Sequence, residues 1–134
     1  MIATHPSSKQ VILCIADDTA ILRYEQALLE RSGYVVLTAA SALQALRLVT
    51  MCECDAVLID YEMPVLDGSD IALQLKRASP ELIIILLAGR EVPAHMLALV
   101  DALVPKLESS QQLLPMITEL CSRTHGAGQK QERL

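Results

Sequence analysis

Residues 55–68 read DAVLIDYEMPVLDG. The run Ala56–Ile59 is unbroken by polar residues and is bounded by Asp55 and Asp60. An alternating strand buries one face; a continuous apolar run like this one suits a strand buried on both. Pro64 and Gly68 then punctuate a loop. An aspartate thus closes a buried strand just where the chain leaves the core.

The same logic extends outward. Val11–Ala16 (VILCIA) is another continuous apolar run. Asp17-Asp18-Thr19 follows with side chains suited to a helix N-cap, and Ile21, Tyr24 and Leu28 recur at helical spacing before Gly33. Tyr34–Thr38 (YVVLT) predicts a second strand, and Ser41 caps a helix through Ala42, Ala45, Leu46 and Val49. Beyond the quoted stretch, Ser69–Arg77 predicts a helix with Ile71, Ala72 and Leu75 inward. Leu82–Leu87 (LIIILL) is the most apolar strand, Pro93 opens a short helix reaching about Val100, and Ala102–Val104 is a brief fifth strand. Ser109 or Ser110 caps a last helix with Leu113, Leu114, Ile117 and Leu120 apolar. The pattern is (βα)5 with short connections, which means a parallel sheet covered by helices on both faces.

Composition narrows the function. The 134 residues suffice for one domain. The expected division is an N-terminal extension over 1–8, the folded unit over 9–123, and a flexible tail or linker start over 124–134. With 52% hydrophobic and 20% charged residues, a packed core is expected. A net charge of −5, no Phe or Trp and only three tyrosines argue against a nucleic-acid partner. The longest apolar run, Leu82–Ala88, falls far below the roughly 20 residues of a membrane span. MIATHPSSKQ shows no secretory h-region, so Cys14, Cys52, Cys54 and Cys121 are expected as reduced, buried thiols in a cytoplasmic protein. Cys52-Glu53-Cys54 lacks the further ligands a soft-metal site needs.

In an open sheet of order 2-1-3-4-5, ligands bind beyond the carboxyl ends of the strands, between strands 1 and 3. Asp17 and Asp18 end strand 1 and Asp60 ends strand 3. Glu62 and Asp67 lie on the adjoining loop, and Lys106 follows strand 5. Two carboxylates about 4 Å apart repel by ~4 kcal/mol at an effective dielectric near 20, so a cation is needed to keep them ionised. Oxygen-only ligands suit Mg²⁺, and a carboxylate between Mg²⁺ and a lysine can act as a nucleophile toward a phosphoryl group. Plainer roles exist for each residue: Asp17 and Asp18 as helix caps, Lys106 as a solvated lysine, Asp67 as turn chemistry.

At these residues the sequence resembles the receiver domain of two-component response regulators. ILCIADD is similar to that family's first strand and acidic pair, and AVLIDYEMPVLDG to its third strand, phosphoacceptor and Met-Pro-x-x-Asp-Gly loop. The resemblance covers about residues 9–123 and implies a flavodoxin-like (βα)5 fold with a five-stranded parallel sheet. It also implies Asp60 as phosphoacceptor, and Asp17, Asp18, Asp60 and the main-chain carbonyl of Glu62 as Mg²⁺ ligands. Lys106 and Ala88 match its phosphate-contacting positions. Glu62 stands where the family tunes phosphoryl lifetime; a weaker alternative has its carboxylate leaning into the site.

Several positions depart from the family. Leu87 stands where a Thr or Ser is usual, and Leu103 where an aromatic is frequent, so both are degenerate switch positions. Leu103 is expected to stay buried. Pro105-Lys106-Leu107 replaces the usual Lys-Pro, and only 18 residues separate Leu87 from Lys106, so a trimmed fourth helix is expected. The expected function is phosphoryl acceptance from a sensor histidine kinase or phosphotransfer protein, with a downstream protein target or fused domain as output. The chain is not expected to be an enzyme. The alternatives are a degenerate receiver binding partners independently of phosphorylation, and an aspartyl-phosphate phosphatase. The haloacid dehalogenase class of such phosphatases wants Asp-x-Asp after strand 1, where this chain has Asp17-Asp18.

Overall fold

The computed structural model describes residues 9–62, 68–108 and 111–122. The expected extension, Met-Pro loop, Asp67, last-helix caps at Ser109 and Ser110, and tail lie outside them.

The three most apolar runs form the middle of the sheet. They are β1 (Val11–Ile15), β3 (Ala56–Asp60) and β4 (Ile83–Ala88). β2 (Val35–Ala39) and β5 (Ala102–Pro105) lie at the edges. All five strands are parallel, in the order β2-β1-β3-β4-β5. Every residue of β3 and β4 is buried, as expected of strands covered on both faces. Pro105 pairs with Ala88 on the outer strand, where a missing N–H costs no ladder bond on the solvent side.

The helices are α1 (Thr19–Glu30), α2 (Ala42–Met51), α3 (Gly68–Ala78), α4 (Ala94–Leu97) and α5, covering 111–122. Ser41 Oγ caps α2 by accepting from Gln44 N at 3.1 Å. The trimmed fourth helix is present: α4 has 4 residues, with Pro93 at its N-cap. Among the described residues, no helix is long and apolar enough to cross a membrane.

Three expectations need correction. β2 begins at Val35 because the N–H of Tyr34 turns back to Leu29 O at 3.2 Å, through Gly33 at φ 96°. α1 turns a shifted face inward: its buried residues are Leu22, Glu25 and Leu29, Ile21 and Leu28 pack half-buried against the core, and Tyr24 is 47% exposed. Leu22 and Leu29 form the true apolar seam, and the helix takes Glu25 into the core with them. Finally, Cys52 is exposed and Cys54 only half-buried, at the end of α2 rather than in the core; no two of the four cysteines are bonded.

Asp55 and Asp101 each tie down a strand start. Asp55 Oδ2 accepts from Val11 N at 2.7 Å, and Asp101 Oδ2 accepts from Ile84 N at 2.8 Å. This pins the sheet's amino end and fixes the strand register that sets the opposite, carboxyl end.

Candidate functional site

β1 and β3 are neighbours with Ile15 opposite Ile59, so Ala16-Asp17-Asp18 and Asp60 leave the sheet side by side. β4 is in register with β3 so that Leu87 stands opposite Asp60, and Tyr61 N donates to Leu87 O at 2.8 Å. Leu87 faces Val104 on the other side. Asp60 is therefore held between two strands and is 2% exposed.

A buried carboxylate needs a partner. Lys106 Nζ meets Asp60 Oδ1 at 2.8 Å, and Glu62 N donates to the same oxygen at 3.2 Å. Lys106 begins the 3₁₀ turn Lys106–Glu108 directly after β5, which aims its side chain across the carboxyl end of β4.

The Glu62 carboxylate does lean in. The N–H of Gly89 donates to Glu62 Oε1 and Oε2, each at 2.8 Å. Lys106 Nζ lies 3.3 Å from Glu62 Oε1, and Arg90 Nε 3.5 Å from Oε2. Burial pushes the Glu62 carboxyl up, but the Gly89 hydrogen bond, Lys106 and Arg90 outweigh it and hold the pKa below the ordinary value. For Lys106, burial pulls down; the hydrogen bond and charge of Asp60, then those of Glu62, outweigh it and hold the pKa up.

Asp18 is the N-cap of α1: its Oδ1 accepts from Ala20 N at 2.8 Å and Ile21 N at 3.4 Å. The capping role and the acidic rim are thus one residue. Asp17 is half-buried beside it. In this arrangement no three His, Cys, Asp or Glu side chains among the described residues are grouped closely enough to hold an ion. The chemistry available is a buried carboxylate at a strand end, an ammonium in contact with it, and a backbone N–H and a guanidinium beyond.

A family model described as the response regulator receiver domain matches residues 12–116. The chain belongs to that family. As a receiver domain it is a signalling module of two-component systems. It is 32% identical over 117 residues to the response regulator MprA of Mycobacterium leprae, covering 84% of this chain and 51% of that protein. The chain thus spans about half the length of the curated relatives it matches. Among solved structures, a CheY-like receiver domain protein from Methanospirillum hungatei JF-1 superposes with a TM-score of 0.81 at 26% identity, covering 90% of this chain and 99% of that one. The response regulator TrrA from Thermotoga maritima, in complex with Mg²⁺–BeF, gives 0.73 at 25% identity, covering 83% and 98%.

Within this receiver domain, Asp60, Glu62 and Lys106 come together in direct contact, and Leu87 and Ala88 end the neighbouring strand. Leu103 does not meet its expectation: it is 38% exposed. Val104 is the residue of β5 that turns fully inward, so the alternation of an edge strand puts Leu103 outside.

Sequence reading missed Glu25. It is 2% exposed and Oε1 has no hydrogen-bond partner. Burial, then the charge of Asp60, lifts its pKa to about 8, against a hydrogen bond from Cys14 and the charge of Lys106. It lines a cavity of about 180 Å³ with Ile21, Tyr24, Leu87, Lys106 and Leu113. The signal was available: Leu22, Glu25 and Leu29 share one helical face.

Proposed function

We propose that Asp60 accepts a phosphoryl group from the phosphohistidine of a sensor kinase or phosphotransfer protein. The observation that carries this reading is the 2.8 Å contact of Lys106 Nζ with a buried Asp60 carboxylate at the switch point between β1 and β3. A carboxylate oxygen of Asp60 attacks phosphorus, the nitrogen–phosphorus bond breaks, and the electron pair stays on the departing imidazole. Lys106 pairs with the Asp60 carboxylate before attack and then faces the new anionic oxygens, and the main chain at Ala88 borders them. The donor chemistry suits a hard divalent cation, because the donors at the rim are oxygens only and Asp17 and Asp18 leave β1 beside Asp60, although the side chains must draw together to close on it. Asp17, Asp18, Asp60 and the main-chain carbonyl of Glu62 would hold Mg²⁺, which supplies charge neutralisation for the transferring phosphoryl group.

The test is incubation with a small-molecule phosphodonor and Mg²⁺, followed by intact-mass analysis. One hydroxylamine-labile phosphoryl adduct is expected on the wild type and none on Asp60→Asn. Equal labelling of both proteins would overturn the assignment.

A second reading rests on Leu87, which has no hydroxyl to offer a phosphoryl oxygen. It takes the domain as a partner-binding module whose contacts do not depend on phosphorylation. Loss of partner binding in Asp60→Asn would exclude it.

A further inference from the structure

Lys106 serves two carboxylates at once, Asp60 at 2.8 Å and Glu62 at 3.3 Å. Such a pair repels unless a cation bridges it. Glu62 gains more than this bridge: the Gly89 N–H reaches both of its oxygens, and Arg90 approaches from outside. An ammonium, a backbone N–H and a guanidinium converging on one carboxylate make an oxyanion-binding arrangement. An anionic group carried on Asp60 would reach the same ammonium.

The residue at 89 is matched to this occupant. A Cβ at Gly89 would stand 3.3 Å from Glu62 Oε1, 3.6 Å from Oε2 and 3.6 Å from Lys106 Cδ. A side chain there would press the carboxylate back from the N–H it now takes. Glycine permits the close approach.

We propose that Glu62 is an internal anion filling the oxyanion site formed by Gly89 N–H, Lys106 and Arg90, and that a phosphoryl group on Asp60 must displace it. The proposal rests on the phosphoacceptor reading for its regulatory meaning, but the occupied anion site stands independently of it. Displacement has a structural consequence. The loop beginning at Gly89 loses its bond to Glu62 when the carboxylate leaves, so the moving part is the Glu62–Gly89 contact rather than a hydroxyl on β4. Tetrahedral oxyanions are the ligand class such a site takes once Glu62 is gone.

The experiment follows the Gly89 amide by NMR while inorganic phosphate is added without metal, in wild type, Glu62→Ala and Gly89→Ala. In the Gly89→Ala protein the residue-89 amide is followed. Phosphate should shift this amide in both variants at concentrations that leave the wild type unmoved. With a small-molecule phosphodonor and Mg²⁺, Glu62→Ala should label on Asp60 about tenfold faster than wild type, the factor expected for losing one competing hydrogen bond to a charged group. Equal phosphate response in wild type and variants, no response in any, or labelling of Glu62→Ala no faster than wild type would each overturn the proposal. If no protein is labelled on Asp60, the phosphoacceptor reading fails and the phosphate titration alone decides this one, because it needs no covalent step. Glu62→Gln, which keeps the side-chain shape but not its charge, replaces Glu62→Ala if the latter does not fold, with the same outcomes.

Discussion

Lys106 and Asp60 are in contact at 2.8 Å although they come from the two sides of β4, one from the end of the edge strand and one from the end of β3. The contact spans the carboxyl end of the sheet and closes the site over Leu87. Its two partners differ in exposure: Asp60 is 2% exposed, while the Lys106 side chain is 29% exposed. The carboxylate depends on the pair more than the ammonium does, since a lysine that loses its partner can turn to water and a buried aspartate cannot.

Lys106→Met should therefore destabilise the protein, by roughly 1–3 kcal/mol, the cost of leaving a buried charged acceptor short of its partner. Asp60→Asn in the same chain should restore most of the loss, because the charge that needed the lysine is gone. Denaturant unfolding of the two single variants and the double variant measures the coupling. Additive losses would mean that Lys106 does not pair with Asp60 in solution.

Asp18 carries two roles that substitution separates. Asp18→Ala removes the cap on Ala20 and Ile21 and should cost about 1 kcal/mol without metal. Asp18→Asn keeps a capping oxygen and should cost little. Both should lose most of the rise in melting temperature that millimolar Mg²⁺ gives the wild type by mass action. A wild type whose melting temperature ignores Mg²⁺ would remove the acidic rim as a cation site and leave only the cap.

Much of this was legible in the chain. Continuous apolar runs at Ala56–Ile59 and Leu82–Leu87 dictated buried parallel strands, and the nearness of the aspartates just beyond β1 to the one that ends β3 followed from the strand order. Element ends were less legible, because they depend on individual hydrogen bonds such as Tyr34 N to Leu29 O. Leu103 was misplaced because hydrophobicity says nothing about which face an edge strand gives to solvent. Glu25 was missed for the converse reason: a charged residue is read as surface unless its place on the helical seam is weighed first. The bond from Gly89 to Glu62 joins residues 27 apart in sequence and exists only once β3 and β4 are side by side.

Glu25 should give the fold a pH dependence of its own. Its folded pKa of about 8 lies above the ordinary carboxylate value of 4.5, so the folded state holds a proton that the unfolded chain releases. The stabilisation is complete below the unfolded value and is lost as pH rises through about 8, at up to roughly 1.4 kcal/mol per pH unit. Glu25→Gln, which resembles the protonated acid, should flatten this decline. Denaturant midpoints taken from about pH 6 to about pH 9 in both proteins isolate the contribution as a difference. Parallel curves would show that Glu25 is not buried uncharged.

The last prediction concerns what a phosphoryl group can move. A ligand shifts an equilibrium only by its differential interaction with the two states. Leu87 is 5% exposed, lies opposite Asp60, and has no hydroxyl to offer. A hydrogen bond to a charged group is worth roughly 1.5–3 kcal/mol, and allosteric couplings are typically about 1–3 kcal/mol, so its absence removes most of the energy that would drive β4 and β5. Leu103, already exposed, has no inward place to give up. Amide hydrogen exchange with a beryllofluoride phosphoryl mimic should accordingly change at 60–62 and 88–92 and little across 95–108. Leu87→Thr should spread the change into 95–108, because the new hydroxyl can follow the mimic. The same variant should be less stable than wild type by about 1–3 kcal/mol, since it removes apolar volume beside the Glu25 cavity. Large changes across 95–108 in the wild type would show that β4 and β5 respond without the hydroxyl, and a Leu87→Thr protein that behaves like wild type would show that the missing group is not the limit.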